Sequence, residues 1–316
     1  MNVTTKLIGF LAVVAAVFAG ALGLGRLVGP VEAPVAVDHS AMDTGEEMPG
    51  EEAAGLDVPK GLMVSQNGYS FALDQRTAEP GTAEPVTFTI IGPDGEPVTA
   101  YDVEHDKQLH LIAVRRDFTG FQHVHPEMDA DGTWRTDLDL TAGQWRLFAD
   151  FKPTGADPLT LGNDLAVTGD YRPDLATTES TTAKIGAYTV TLDGDVAPGS
   201  EAKLTLTVTR NGEKVTDLEP YLGAYGHLVA LRAGDLAYLH VHPEGTPGDG
   251  VTEPGPEVVF YAQVPSEGRY HLYLDFMHEG VVRTASFTVD ATGTPSSEPA
   301  ETDESAESDA PHSDEH

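Results

Sequence analysis

The chain repeats itself. Residues Gly95 to Glu127 align without a gap on Gly212 to Glu244 at a constant offset of 117, and nine of the last 18 positions are identical. After a loop that is eight residues longer in the second copy, GQWRLFADF (Gly143 to Phe151) matches GRYHLYLDF (Gly268 to Phe276). A unit that recurs at fixed spacing has to be an assembly that can be built twice, so the repeat constrains the fold more than any single motif does. It predicts two homologous domains, over residues 62–172 and 180–290.

Within each copy the segments are short and strand-like. VTFTII and LTLTVT alternate β-branched and apolar residues, GPDGE and RNGE supply turns, and WRLFADF and YHLYLDF form a late strand. No helical period competes. The fold class expected is therefore all-β: two tandem immunoglobulin-like β-sandwich domains behind an N-terminal transmembrane helix.

That helix is read from the apolar run Leu7 to Leu24, which follows Lys6 and nearly spans a hydrocarbon core. It is either a cleaved signal segment or an anchor, and its continuation past the small residues Ala19 to Ala21 favours the anchor. Residues 1–30 are thus expected in the membrane, with the domains on the extracytoplasmic side, or secreted if the segment is cleaved. Residues 31–61 read as an acidic, disordered tether and 291–316 as an acidic, disordered tail, because neither composition can bury a core. A net charge of −33 excludes a nucleic-acid partner, since phosphate neutralisation needs a basic face. The chain has no cysteine, which removes disulfides, thiolate metal sites and cysteine nucleophiles.

The functional signal is histidine. HVHPE occurs at His123 to Glu127 and at His240 to Glu244, and all three histidines of the first copy (His110, His123, His125) have counterparts in the second (His227, His240, His242). Residues two apart on a strand share a face, so each H-x-H pair projects to one side. If Asp117 and Phe118 form a two-residue hairpin loop, opposed residue numbers sum to 235 and His110 lies across from His125. A four-residue loop gives 237 and a diagonal placement on the same face. Three imidazoles then converge, a donor set suited to a copper ion, with zinc as the alternative. Asp150 and Asp275, matched between the copies, are candidate outer acceptors that orient an imidazole. His105, His271 and His278 have no counterpart and receive no role. The tether stretch Asp38 to Met42 (DHSAM) pairs a thioether with an imidazole, but reads more readily as plain linker.

The segment LHLIAVRRDFTGFQHVHPE with the later GTW and GQWRLFADF resembles the YtkA-like/FixH-like group of membrane-tethered extracytoplasmic β-sandwich domains. The two-copy form resembles actinobacterial exported proteins. The resemblance covers both repeats and implies an immunoglobulin-like fold, tethering and a link to heavy-metal handling, chiefly copper. The expected function is a membrane-anchored metal-binding protein that buffers metal or passes it to another copper-handling protein, with one site per domain and no turnover. The runner-up is a cupin-type metal-dependent enzyme. Cupins share the H-x-H strand, but here Glu127 follows His125 by two and the late strand offers no histidine. A metal-free immunoglobulin-like adhesion or signalling module is the third reading.

Overall fold

The computed structural model describes residues 58–174 and 178–293, and every regular element within them is a β-strand. The expected anchor (1–30), the tether up to residue 57 and the tail beyond residue 293 lie outside the described residues. Among the described residues no helix is long and apolar enough to cross a membrane.

Each repeat is two sheets packed face to face. In repeat 1 one sheet runs Ser65–Gln66, Tyr69–Leu73, Gly81–Ile91, Thr133–Leu140, Glu127–Met128. The other runs Thr77–Ala78, Leu159–Val167, Gly143–Pro153, Leu109–Arg115, Gln122–Val124. In repeat 2 the first sheet is Thr182–Ile185, Tyr188–Asp193, Ser200–Arg210, Glu257–Val264, Val241–Pro243, and the second is His227–Arg232, Gly268–His278, Val281–Ala291. All-β tandem sandwiches are therefore what the repeat builds.

Burial along the strands separates two kinds of surface. Gly81–Ile91 alternates as a half-solvated strand should, sending Val86, Phe88 and Ile90 inward against Trp134. Leu109–Arg115 does not alternate: Leu109 through Val114 are all buried. Its odd positions, Leu109, Leu111 and Ala113, enter the repeat 1 core, while Ile112 and Val114 join Phe148, Val229, Leu231, Leu236 and Tyr273 in a separate cluster. The strand is covered on both faces because the second sheet of repeat 1 packs on the second sheet of repeat 2.

The packing follows a pseudo-two-fold. Ile112 and Val114 meet a surface containing Val229 and Leu231, their counterparts at the offset of 117. Phe121 of repeat 1 stacks on Tyr273 of repeat 2 with centroids 4.0 Å apart, and Tyr238, the counterpart of Phe121, lies 5.7 Å from Phe148, the counterpart of Tyr273. The two repeats thus use one patch against itself, as subunits of an isologous dimer do. Each apolar side chain fully buried in this seam contributes roughly 1.5–3 kcal/mol.

The incoming chain crosses the seam. Gly61 N donates to Thr160 O at 2.9 Å in repeat 1, and Tyr238 N of repeat 2 donates to Lys60 O at 2.9 Å. Buried Arg146 donates to Gly61 O at 2.6 Å and Leu62 O at 2.9 Å. Gly162 makes this possible, since a Cβ there would stand 2.0 Å from Gly61 O. Lys60 and Gly61, placed in the tether by composition, are therefore part of the folded unit.

Candidate functional site

The first hairpin has the register expected of a two-residue loop, but its turn is built differently. Phe118 N donates to Arg115 O at 2.7 Å and Arg115 N to Thr119 O at 3.0 Å, so Arg116 and Asp117 are central rather than Asp117 and Phe118. Leu111 pairs with Val124, Ile112 with His123 and Ala113 with Gln122, so opposed numbers sum to 235. The turn is held by Asp117, whose carboxylate accepts from Arg115 Nε at 2.9 Å and from the Thr119 hydroxyl at 2.7 Å. Val124 packs into the repeat 1 core, which turns His123 and His125 to the opposite side, toward the seam. His110 reaches the same side from its even position beside Ile112.

Three imidazoles meet there. The ring centroids of His110, His123 and His125 lie 4.9–5.3 Å apart, and one ligand atom from each falls within 4.8 Å of the others. Hydrogen bonding fixes how two of them face. His110 Nε2 lies 3.1 Å from Glu104 O, a carbonyl that can only accept, so Nε2 carries the hydrogen and Nδ1 presents its lone pair. His123 Nδ1 lies 2.9 Å from Asp275 Oδ2, and the side chains are 1 and 3% exposed, so Nδ1 donates to the carboxylate. The remaining atoms, His110 Nδ1 and His123 Nε2, are 3.1 Å apart. In neutral rings both are lone pairs directed at each other, an arrangement relieved by one further proton in the Asp275–His123–His110 chain or by a cation between the rings. His125 Nε2 is buried without a hydrogen-bond partner. Burial, and then the neighbouring His123, holds His110 down at about 3 and His125 at about 4, so both are neutral near pH 7.

Repeat 2 supplies the rest of the shell. Asp275 lies across the strand pair from His227 and also accepts from the Thr284 hydroxyl at 2.6 Å. It therefore orients a histidine of the other repeat. The His227 ring stacks on His110 at 5.7 Å, tilted by only 4°, and lies 4.8 Å from His123. Burial first, and then His123 and His110, lower the His227 pKa well below the ordinary value. His110 and His227 occupy equivalent positions, so the stacked pair straddles the pseudo-two-fold.

The second HVHPE goes elsewhere. Leu231 still bridges Tyr238, in the register equivalent to that of repeat 1, and Leu239 N donates to Ala230 O. The chain then leaves for the opposite sheet, where Val241 pairs with Ala262 and His242 with Tyr261. His240 and His242 face one another at 5.7 Å, and His242 stacks on Tyr261 at 5.4 Å. Their ring contacts do not include His227, whose neighbours are His105, His110 and His123. The expectation of one gathered triad per domain is corrected accordingly: repeat 1 gathers its three, and His227 joins them from repeat 2. Two residues explain the departure. Leu239 turns into the repeat 2 core, whereas its counterpart Gln122 bonds both the N–H and the carbonyl of Asp139. The longer loop of repeat 2 also lets Glu244 N reach Val259 O.

Asp150 and Asp275, matched in sequence, differ in the same way. Asp150 lies across from His110 on the neighbouring strand and accepts from the Thr160 hydroxyl at 2.7 Å, while burial pushes its carboxyl pKa up. Two neighbours of the site are not legible as motifs. The Glu104 carbonyl is invisible to side-chain motifs, and His105 has no histidine counterpart in repeat 2, yet its ring lies 6.1 Å from His110 and 5.8 Å from His227. The proximity of His105 to His110 in sequence was the available signal.

No functionally curated protein matches the chain. Solved structures similar to it include the Escherichia coli adhesin FdeC, at 15% identity and TM-score 0.23, covering 72% of this chain and 65% of that one. The Yersinia pseudotuberculosis adhesin InvE matches at 12% and 0.21, covering 70% and 58%. A putative membrane anchored protein from Corynebacterium diphtheriae matches at 11% and 0.21, covering 72% and 59%. The chain spans less than two thirds of the length of each, and likeness at this level says nothing of function. One family model matches residues 64–161 and 182–293, one range on each repeat and about two thirds of the chain. The chain belongs to the family described as Domain of unknown function (DUF8832).

Proposed function

We propose that this protein is a membrane-anchored, extracytoplasmic metal-binding protein that holds one ion, copper with zinc as the alternative, in the seam between its two repeats. His110, His123 and His125 are the ligands, and His227 is the nearest candidate for a fourth. The observation that carries this reading is the pair of imidazole lone pairs at 3.1 Å, each fixed by an acceptor behind the ring, beside the buried, unpartnered Nε2 of His125. Acceptors behind the ligand are how metal-binding histidines are oriented. Metal–nitrogen bonds of about 2.0–2.1 Å would draw the most separated donors together by roughly 1 Å. Neutral imidazoles favour Cu(II) over Zn(II) by affinity order. A fourth imidazole would close the coordination sphere, which suits storage and transfer rather than turnover.

The metal-free module remains the second reading, and one observation favours it. If the chain Glu104 O–His110–His123–Asp275 holds one further proton, it is satisfied as an inter-repeat staple, leaving His125 Nε2 buried without a partner, as His242 Nδ1 is in repeat 2. Titration of the purified full-length chain with Cu(II) and with Zn(II) separates the two. The metal reading expects one tight equivalent that His123→Ala/His125→Ala abolishes. Absence of any such equivalent in the folded wild type leaves the staple as the role of these histidines.

A further inference from the structure

We propose that His105 is a transfer ligand, which captures the ion at the surface and passes it to the buried imidazoles. The inference rests on the metal reading above and adds the route. A cavity of about 440 Å³ opens between the repeats, lined by Lys60, His105, His110, Asp150, His227 and His240. The gathered histidines are largely shielded from solvent, with His110 4% exposed. His105 is exposed, and its ring stands within one ring contact of both His110 and His227.

The backbone holds it there. Glu104 and Lys107 close a tight turn by exchanging hydrogen bonds of 2.9 and 3.1 Å. His105 and Asp106 both occupy the left-handed region, with φ of 49° and 64°. Two successive non-glycine residues in that region are uncommon, and they are the conformation of a type I′ turn. The same turn offers the Glu104 carbonyl to His110, so the element that presents the outer imidazole also orients an inner one.

Exchange chemistry gives the arrangement its use. A closed set of buried imidazoles releases an ion slowly if each bond must break before another forms. An extra imidazole at the mouth allows a new bond to form as an old one breaks. Lys60 and Lys107 line the cavity together with Glu104 and Asp150, so its charges are mixed, and His105 supplies an imidazole nitrogen at the rim.

The test uses the full-length chain and Cu(II) alone, with loading followed by stopped flow and extraction by excess EDTA, for wild type, His105→Ala and His105→Met. Loading and extraction should both slow by the same factor in His105→Ala, about tenfold, which corresponds to about 1.4 kcal/mol on each barrier. Stoichiometry and affinity should not change, and His105→Met should restore part of the rate. Equal rates in wild type and His105→Ala would overturn the proposal. So would a weakened affinity with faster release, which would make His105 an ordinary ligand. If wild type shows no copper uptake sensitive to His123→Ala/His125→Ala, the metal reading itself fails, and that is seen before His105 is tested.

Discussion

The same five residues, HVHPE, end on different sheets in the two repeats. In repeat 1 the chain stays paired to Leu109–Arg115 through Val124 and crosses to the opposite sheet only at Glu127, which pairs with Arg135. In repeat 2 it crosses between Leu239 and Val241. The motif dictates only that histidines two apart share a side. Which strand they are registered against is decided by their neighbours, here Gln122 against Leu239 and a short loop against a long one. Duplication has therefore given one seam with an unequal division of labour: repeat 1 contributes three gathered imidazoles, and repeat 2 contributes His227 and the Asp275 carboxylate.

The seam itself carries the largest expected effect. Phe148→Ala empties a fully buried position there and should cost about 3–5 kcal/mol in urea unfolding. A loss below about 1 kcal/mol would mean that the repeats do not depend on each other's packing. The matched aspartates sharpen the comparison next. Asp275→Asn should weaken Cu(II) binding by about 10–100-fold, because a carboxylate behind the imidazole is lost, while Asp150→Asn should leave affinity within about twofold. Equal losses in isothermal titration would restore the symmetric picture of one site per repeat.

A smaller effect concerns pH. Burial holds His110 at about 3, and His125 and His271 at about 4, with His123 or, for His271, Arg269 adding to it. An unfolded histidine titrates near 6.5, so below that value the unfolded chain takes up protons that the folded chain refuses. Stability of the metal-free protein should therefore fall as the pH drops from about 6.5 toward 4. His271, stacked on Phe118 across the seam at 3.9 Å, contributes without belonging to the gathered set. His271→Gln should flatten the slope of urea midpoint against pH, and an unchanged slope would remove His271 from this account.

Much of this was legible beforehand. The repeat and the strand pattern follow from local alternation, and the register of 235, reached through a different turn from the one expected, sets His110 with His123 and His125. The seam was not anticipated, though its trace was present: LHLIAV lacks the alternation of VTFTII, and a strand without alternation is covered on both faces. Asp275 was legible as an acceptor but not as a partner of the other repeat, because a sequence comparison aligns the copies without docking them. His105 escaped for the opposite reason. Its turn recurs in repeat 2 with Leu222 and Gly223 at the two left-handed positions, so the histidine itself has no counterpart to mark it.

The central claim is a single site shared across the seam, and the most direct measurement is a Cu(II) titration of the full-length chain comparing His227→Ala with His240→Ala/His242→Ala. The account predicts that His227→Ala weakens the one tight equivalent, while loss of both His240 and His242 leaves its affinity and stoichiometry unchanged. Two tight equivalents in the wild type, one of them abolished by His240→Ala/His242→Ala, would contradict it.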